Sequence, residues 1–448
     1  MLKKIVVFSV ITLLMFIGTG EVAIQNDGGL QFDTGLQVVN AAEKKEKRKK
    51  ARKVPTISQL TYKKLSEVQE LIDLKEYDQA LLILDEMEAR TKRYNGNEKG
   101  QIFNMAAFAW YAKDNNAKTI EYYQKVLNQG ADISEGLEIS TLYGLAQLLF
   151  VEERYQESLD TMEIWLTKAD NPGPNPHYFM GQVYYAMKDF PNAIGRVQFA
   201  IDMAQERGMR VKENWWGLLR YLHFDSENWD RVIEILEILV REYPKRDYWI
   251  QLSGIYGQEG FDKKQVYAME AAHVGGFLER EQDVVNYAML LMQEEVPYRG
   301  AKWLQQGVDD EVVESSAKNL NTLGQAYQIA QEVDKAIPVL EEAGELSDDG
   351  ETYGRLAQLY LEKDQFEKCS TAAENALEKG IKRAYNTEII LGMCLFNRDR
   401  LTAARKTFVE ARKNARSDKN RSMERMCGQW ITYIDRERKR REELAKSI

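Results

Sequence analysis

The chain has 448 residues, of which 44% are hydrophobic and 29% are charged, so it can fold and is not broadly disordered. It carries 61 basic and 70 acidic residues, and a net charge of -9 disfavours a protein whose main partner is nucleic acid. Only 3 Cys and 3 His are present, which excludes a disulfide-dense scaffold and makes a zinc site improbable. Pro is scarce, at 8 residues, as expected for a chain built of helices.

Residues 1–41 have the pattern of an export signal. Lys3 and Lys4 precede an apolar stretch from Ile5 to Ile17, which is shorter than the ~20 residues of a membrane-spanning helix. Small residues place candidate cleavage positions near Gly20 and Ala41, and an uncleaved membrane anchor is the alternative. Either way, the pattern predicts that the rest of the chain is exported.

Basic residues are concentrated at the two ends of the chain. We expect residues 42–58 to form a flexible basic tail, and residues 412–448 hold twelve basic and six acidic residues. The intervening residues 54–411 have 39 basic and 59 acidic residues, a net charge of -20. Such charge runs are most simply solvated; the alternative is docking of the basic ends to anionic lipid at the inner membrane, or to an acidic partner.

Similar segments recur along the chain with a mean spacing of 36 residues. The clearest three contain Leu323-Gly324, Leu356-Ala357 and Leu391-Gly392, and in each the second, small residue serves as an anchor position. Counted from this small anchor, a bulky residue follows at +3 and small residues at +12 and +19. Small side chains allow two helices to approach closely, and large ones fill the gaps between them.

Extending this pattern gives ten anchor positions, and therefore ten predicted helical hairpins. The anchors are residues 68, 107, 146, 181, 220, 253, 288, 324, 357 and 392.

This pattern resembles the tetratricopeptide repeat, a helix–turn–helix unit of 34 residues. The resemblance implies an all-α fold: a right-handed superhelix of about ten hairpins over residues 59–416, ended by a charged capping helix over residues 417–448. A stack of hairpins also explains the length of the chain, because a single hydrophobic core does not grow beyond about 250–300 residues.

The three cysteines, Cys369, Cys394 and Cys427, each lie in an apolar helical stretch. Cys in such surroundings acts as a small core residue. We therefore expect three buried thiols and no essential disulfide, although export implies an oxidising compartment.

We find no motif typical of an enzyme. His177, His223 and His273 are distributed over three different hairpins, and the Trp215-Trp216 pair is expected in the core. The sequence therefore predicts a non-catalytic protein with no cofactor, no metal site and no small-molecule substrate.

In tetratricopeptide arrays, the first helix of each hairpin lines a concave groove that binds partner proteins. Residues three before, one after and four after each anchor face that groove. The resemblance thus predicts a partner-binding groove rich in amide and aromatic side chains: Gln69, Asn104, Tyr111, Tyr143, Gln147, Phe150, Tyr178, Gln182, Tyr185, Asn321, Gln325 and Gln358.

Amide side chains can pair with a peptide backbone, and aromatic rings supply flat contact area, although a hydrated polar face would have a similar composition. The basic residues that hold a terminal carboxylate in this family are missing from most groove positions, with Lys318 an isolated exception. We therefore expect an internal peptide segment or a folded partner, and the acidic body favours a basic one.

Residues 62–84, 137–150, 173–181 and 243–256 resemble the periplasmic tetratricopeptide proteins encoded with TonB energy-transduction systems of gammaproteobacteria. This resemblance implies a periplasmic adaptor in TonB-dependent uptake of iron–siderophore or haem complexes, with TonB-system proteins as partners. The alternative is a scaffold for cell-envelope assembly or division, such as a partner of peptidoglycan synthases.

Overall fold

The computed structural model describes residues 52–446, and the regular elements in that range are all helical. The described chain forms two compact units, of which the first ends at Ser226 and the second begins at Glu227. The export signal predicted over residues 1–41 lies outside the described residues, as do residues 42–51 of the predicted basic tail.

The first unit contains four helical hairpins and one further helix. These helices are α1 (Gln59–Asp73), α2 (Tyr77–Glu88), α3 (Gly96–Ala112), α4 (Asn116–Leu127), α5 (Glu135–Val151), α6 (Tyr155–Lys168), α7 (Pro174–Ala186), α8 (Phe190–Glu206) and α9 (Glu213–Asp225). Short 3₁₀ turns at Thr91–Arg93 and Gly130–Asp132 precede α3 and α5.

The second unit begins with the helix that follows α9 and continues with five hairpins and a long final helix. These helices are α10 (Trp229–Glu242), α11 (Arg246–Gln258), α12 (Asp262–Val274), α13 (Glu281–Gln293), α14 (Pro297–Asp309), α15 (Ala317–Ile329), α16 (Val333–Leu346), α17 (Glu351–Glu362), α18 (Phe366–Lys379), α19 (Ala384–Asn397), α20 (Leu401–Ser417) and α21 (Arg421–Lys446). The predicted all-α architecture of about ten repeats, ended by a charged helix, is confirmed: nine hairpins lie within the two units, and α9 and α10 stand at their boundary.

Each predicted anchor lies in the first helix of its pair, and nine of the ten are buried. A Cβ atom added at Gly181 would lie 2.5 Å from Cγ2 of Val197, and one added at Gly392 would lie 2.8 Å from the Phe408 ring. A residue of the second helix therefore occupies the space that a side chain at the anchor would need. This contact explains why the sequence repeats a small residue there.

Where the small residue is polar, its side chain forms a hydrogen bond with the other helix of the hairpin. Ser158 Oγ donates a hydrogen bond to the Ala146 carbonyl at 2.6 Å, and Ser253 Oγ donates one to the Gln265 carbonyl at 3.1 Å. Because each hydroxyl is buried and satisfied, these serines fill an alanine-sized space without the cost of an unpaired polar group.

Each turn within a helix pair contains one residue with positive φ. Nine of these residues carry a side chain, and only the turn after α11 uses glycine, at Gly260. The backbone then closes the end of the first helix: Asp189 N–H, for example, donates to the Tyr184 carbonyl at 2.9 Å. This bond reaches the carbonyl five residues back and belongs to the Schellman type of helix end.

An extended segment, residues 52–58, crosses the amino-terminal ends of the first three hairpins. Arg52 forms an ion pair with Glu138 on α5 at 2.8 Å. Asn97 Nδ2 on α3 donates to the Pro55 carbonyl at 2.9 Å, and Ser58 N–H donates to Glu98 Oε1 at 2.9 Å. The last residues of the predicted basic tail are therefore attached to the helices; we call residues 52–58 the strap.

The expectation of three free thiols is wrong for two of the cysteines. Cys369 on α18 and Cys394 on α19 form a disulfide, with their Cα atoms 6.2 Å apart. Both residues are fully buried, and their bond links the second helix of one hairpin to the first helix of the next. Cys427 on α21 is a buried free thiol, as expected.

Candidate partner-binding site

First helices of neighbouring hairpins contact one another within the first unit. The Phe150 ring of α5 lies 5.7 Å from the Phe179 ring of α7, and the Tyr178 ring of α7 stacks on Trp215 of α9 at 4.9 Å. The side chains one and four positions after each anchor lie on one face of these helices, because residues three apart on a helix are neighbours.

Aromatic residues occupy the position four after the anchor on four consecutive first helices. They are Tyr111 on α3, Phe150 on α5, Tyr185 on α7 and Phe224 on α9. Together with Tyr221, one position after the α9 anchor, they form what we call the aromatic face.

Tyr185, Tyr221 and Phe224 are the most exposed part of the aromatic face, with 38%, 43% and 46% of their surfaces accessible. The Tyr185 and Tyr221 rings meet edge to face, with centroids 5.6 Å apart. Burial raises the pKa of Tyr185, and the neighbouring Tyr221 hydroxyl and Asp225 carboxylate raise it further. The raised pKa keeps the Tyr185 ring neutral at physiological pH, so it presents apolar surface beside an acidic group.

Phe150 and Tyr111 are half-buried. Phe150 lies between Tyr155, 5.7 Å away, and Phe179, so one side of its ring is already covered. Burial raises the pKa of Tyr111, and so does the carboxylate of Asp114 at the end of the same helix. An acidic side chain thus lies near a tyrosine at both ends of the aromatic face.

Two predicted groove tyrosines lie in the packing between helices. Tyr178 is 9% exposed, and its hydroxyl donates to the Asn214 carbonyl at 3.3 Å. Tyr143 packs on Trp165 at 5.3 Å and on Phe179 at 6.1 Å, and burial raises the pKa of each tyrosine to about 12. Their position three residues before the anchor faces the next hairpin, so these rings hold the stack together.

The amide residues predicted in the first unit are spread along the same helices. Gln147 and Gln182 are half-buried and lie one turn before Phe150 and Tyr185, and Asn104 is half-buried on α3. Gln69 is exposed on α1, where its Nε2 donates to Asp73 at 2.8 Å. Gln147 and Gln182 are therefore the amides adjacent to the aromatic face.

The other three predicted residues belong to the second unit. Gln325 and Gln358 are exposed, and Gln358 Nε2 donates to Glu362 Oε1 at 3.1 Å on its own helix. Asn321 is half-buried, with an Oδ1 atom that accepts no hydrogen bond among residues 52–446. The predicted residues thus divide into two sets, and the aromatic set lies in the first unit.

Sequence inspection missed Tyr221 and Phe224. Their hairpin has Arg220 at the anchor position, where a small residue is expected, so the helix offers a weak match to the repeat. Counting one and four residues from position 220 would have identified both side chains. Phe108, half-buried one position after the Ala107 anchor, was missed in the same register.

The histidines belong to separate helices. His177 on α7 packs edge-on against Phe199 at 4.7 Å, and burial lowers its pKa. His273 on α12 packs against Trp303 at 4.0 Å, and burial lowers its pKa as well. His223 is buried on α9. Over residues 52–446, no group of three or more His, Cys, Asp or Glu side chains is arranged to hold a metal ion.

No helix in the described range combines the length and apolarity needed to cross a lipid bilayer.

Nine hairpins within the two units, each with a buried anchor residue in its first helix, define the architecture. The chain is a tetratricopeptide-type solenoid of helical hairpins. No family model and no curated protein matches this sequence. Among solved structures, the chain is similar to MamA, with 17% identity and a TM-score of 0.34 over 37% of this chain and 96% of that one.

Two further tetratricopeptide structures show comparable similarity. The Cut9–Hcn1 assembly has 12% identity and a TM-score of 0.36, over 84% of this chain and 99% of that one. YrrB, a TPR protein with an unusual peptide-binding site, has 15% identity and a TM-score of 0.32, over 41% and 89% of the two chains. These similarities are low, and the assignment of the fold rests on the helix pairs themselves.

Proposed function

We propose that this protein is a non-catalytic, protein-binding scaffold of the periplasm, and that it serves as an accessory component of a TonB-dependent transport system for iron–siderophore or haem complexes. The observation that carries the binding role is the aromatic face of the first unit. Exposed Tyr and Phe side chains grouped on one surface are enriched where proteins bind proteins.

Three features of the chain support the periplasmic assignment. Residues 1–41 have the pattern of an export signal. The Cys369–Cys394 disulfide fits an oxidising compartment, since intracellular thiols are normally kept reduced. The basic ends would favour contact with the anionic surface of the inner membrane. The TonB assignment itself rests on the sequence resemblance.

Photo-crosslinking in intact cells tests the proposal. A photoreactive amino acid replaces Tyr185 in one strain and Tyr267 in another; Tyr267 is 62% exposed on α12, a second helix. We expect the Tyr185 position, and not the Tyr267 position, to capture a TonB-system protein. Capture of a peptidoglycan synthase instead would favour the envelope-assembly alternative, and capture of no protein at Tyr185 would contradict a binding role for this face.

A further inference from the structure

The amino-terminal ends of α19 and α21 meet at an open cavity in the second unit. Polar and charged side chains from these two helices and from the turn before α21 line it: Arg383, Tyr385, Asp418, Lys419, Asn420 and Arg421. We call it the basic cavity. It shares no residue with the aromatic face, so it is a separate candidate site.

A hydrogen bond between the two helix ends fixes one wall of the basic cavity. Asn420 Nδ2 donates to the Tyr385 hydroxyl oxygen at 3.3 Å, and Asn420 Oδ1 accepts from the Met423 N–H at 3.2 Å. Tyr385 is only 4% exposed. Its hydroxyl proton has no acceptor among residues 52–446, although buried polar groups are normally paired. A nearly buried O–H donor is therefore available to a ligand in the cavity.

The cations of the basic cavity lack counter-ions. Arg383, Lys419 and Arg421 are exposed, and their side chains form no ion pair within residues 52–446. The neighbouring Arg416, by contrast, is paired with Glu424 at 2.6 Å. Three positive charges and the one negative charge of the aspartate leave the cavity with a net charge of +2. The cavity thus concentrates unpaired positive charge in one place.

A phosphate group matches this set of donors in charge and in geometry. A phosphate monoester carries a charge of about −1.5 to −2 at pH 7, which balances the charge of the cavity. Guanidinium groups bind phosphate oxygens through two parallel hydrogen bonds, and an ammonium group acts as a compact charge beside them. A carboxylate has a single charge and two oxygens, so it would leave part of the cavity unmatched.

We propose that the basic cavity binds a phosphate group. Arg383, Lys419 and Arg421 pair with its oxygens, and the Tyr385 hydroxyl donates to it. The inference concerns a different set of residues from the aromatic face and does not depend on the proposed function. A soluble phosphate compound and the phosphate headgroup of a lipid share this chemistry, and separate measurements distinguish them.

Isothermal titration calorimetry on the full chain tests the binding of inorganic phosphate. Sodium acetate and sodium chloride, at the same ionic strength, are the matched controls for a carboxylate and for a simple anion. We expect one phosphate to bind per chain, and acetate to bind at least about tenfold more weakly.

Substitutions locate the site. The double variant Arg383→Gln/Arg421→Gln should bind phosphate at least about tenfold more weakly than the parent. Arg436→Gln/Lys439→Gln removes the same charge from exposed positions of α21 outside the cavity and should keep the affinity of the parent. Tyr385→Phe keeps the ring and should weaken binding by about tenfold, because it removes one hydrogen bond to a charged group.

Sedimentation with phosphatidylcholine vesicles that contain phosphatidic acid separates the two sources of phosphate. Sedimentation of the parent but not of the double Arg variant assigns a lipid headgroup to the cavity. Equal sedimentation of the two, together with calorimetric binding that the double variant loses, assigns a soluble phosphate compound.

Three results would overturn the inference. The first is that neither phosphate nor the vesicles bind in a way that depends on Arg383 and Arg421. The second is that the Arg436→Gln/Lys439→Gln control loses as much affinity as the double Arg variant, because binding would then reflect overall charge. The third is that acetate binds as tightly as phosphate, which would make the cavity a carboxylate site.

Discussion

The close contact between Gly181 and Val197 can be tested with two glycine-to-alanine substitutions in the same hairpin. Gly181 lies on α7, and a Cβ atom there would meet Val197 Cγ2 at 2.5 Å and the Val197 backbone nitrogen at 3.3 Å. Gly195 lies on α8, is exposed, and has no atom within 4 Å of the position of an added Cβ.

Alanine favours a helix over glycine by about 1 kcal/mol at either position. At position 195 this gain is unopposed, so Gly195→Ala should stabilise the hairpin by about 1 kcal/mol. At position 181 the added methyl group must displace a β-branched side chain with little rotamer freedom, and such overpacking costs about 1–3 kcal/mol. Gly181→Ala should therefore be destabilising or at best neutral, and the two variants should differ by about 2 kcal/mol.

Urea denaturation gives the overall stability of each variant, and hydrogen exchange measured by mass spectrometry gives the local stability of α7 and α8. Local measurement matters because hairpins in a repeat array can open separately. Since the propensity gain is the same in both variants, their difference isolates the packing contact. If Gly181→Ala protects α7 as much as Gly195→Ala protects α8, the explanation of the small anchor residues is incorrect.

Three further predictions follow from other parts of the structure. Replacing both Cys369 and Cys394 with Ala should lower the free energy of unfolding by about 3 kcal/mol in non-reducing urea denaturation, because the disulfide closes a loop of 25 residues. In Cys427→Ala, by contrast, reductant should lower the stability as much as it does in the parent. Burial acts to raise the pKa of Glu98, but hydrogen bonds from Ser58, Asn95 and Thr61 outweigh this effect and hold the pKa below the ordinary 4.5. The ionised Glu98 carboxylate therefore stabilises the attached strap at neutral pH. This stabilisation is lost as the pH falls through the lowered pKa. Limited proteolysis should accordingly release the strap in acid, and Glu98→Gln should weaken the strap already at neutral pH. Finally, Lys188→Gly should raise stability by about 0.5–1 kcal/mol in thermal denaturation, because Lys188 has a φ of 63° that glycine adopts without strain, and Lys188→Ala should give no such gain.

Much of the fold could be predicted because its repeat depends on packing contacts that constrain residue size. The anchors at Gly181, Gly324 and Gly392 each face a large side chain at a fixed separation, and such a contact leaves the same pattern in every unit. The turns within the helix pairs followed no comparable pattern, because nine of the ten left-handed residues in these turns are not glycine and their conformation is imposed by the helices on either side.

The site was harder to predict for a related reason. Position relative to the anchor indicates which helix face a residue is on, but not how deeply the next hairpin covers that face. Tyr178 and Tyr185 are two turns apart on α7, yet the first is stacked on Trp215 while the second is exposed. The Cys369–Cys394 pairing was missed because it depends on the distance between adjacent hairpins, which neither cysteine reveals alone.

The disulfide between α18 and α19 also affects how the array responds to mechanical load. Under tension applied to its two ends, a stack of hairpins peels apart stepwise, since each unit is held only by its neighbours. The bond between Cys369 and Cys394 carries the force directly across the intervening 25 residues. While the disulfide is intact, that segment cannot be stretched, and the fully extended chain is roughly 85 Å shorter than the reduced chain.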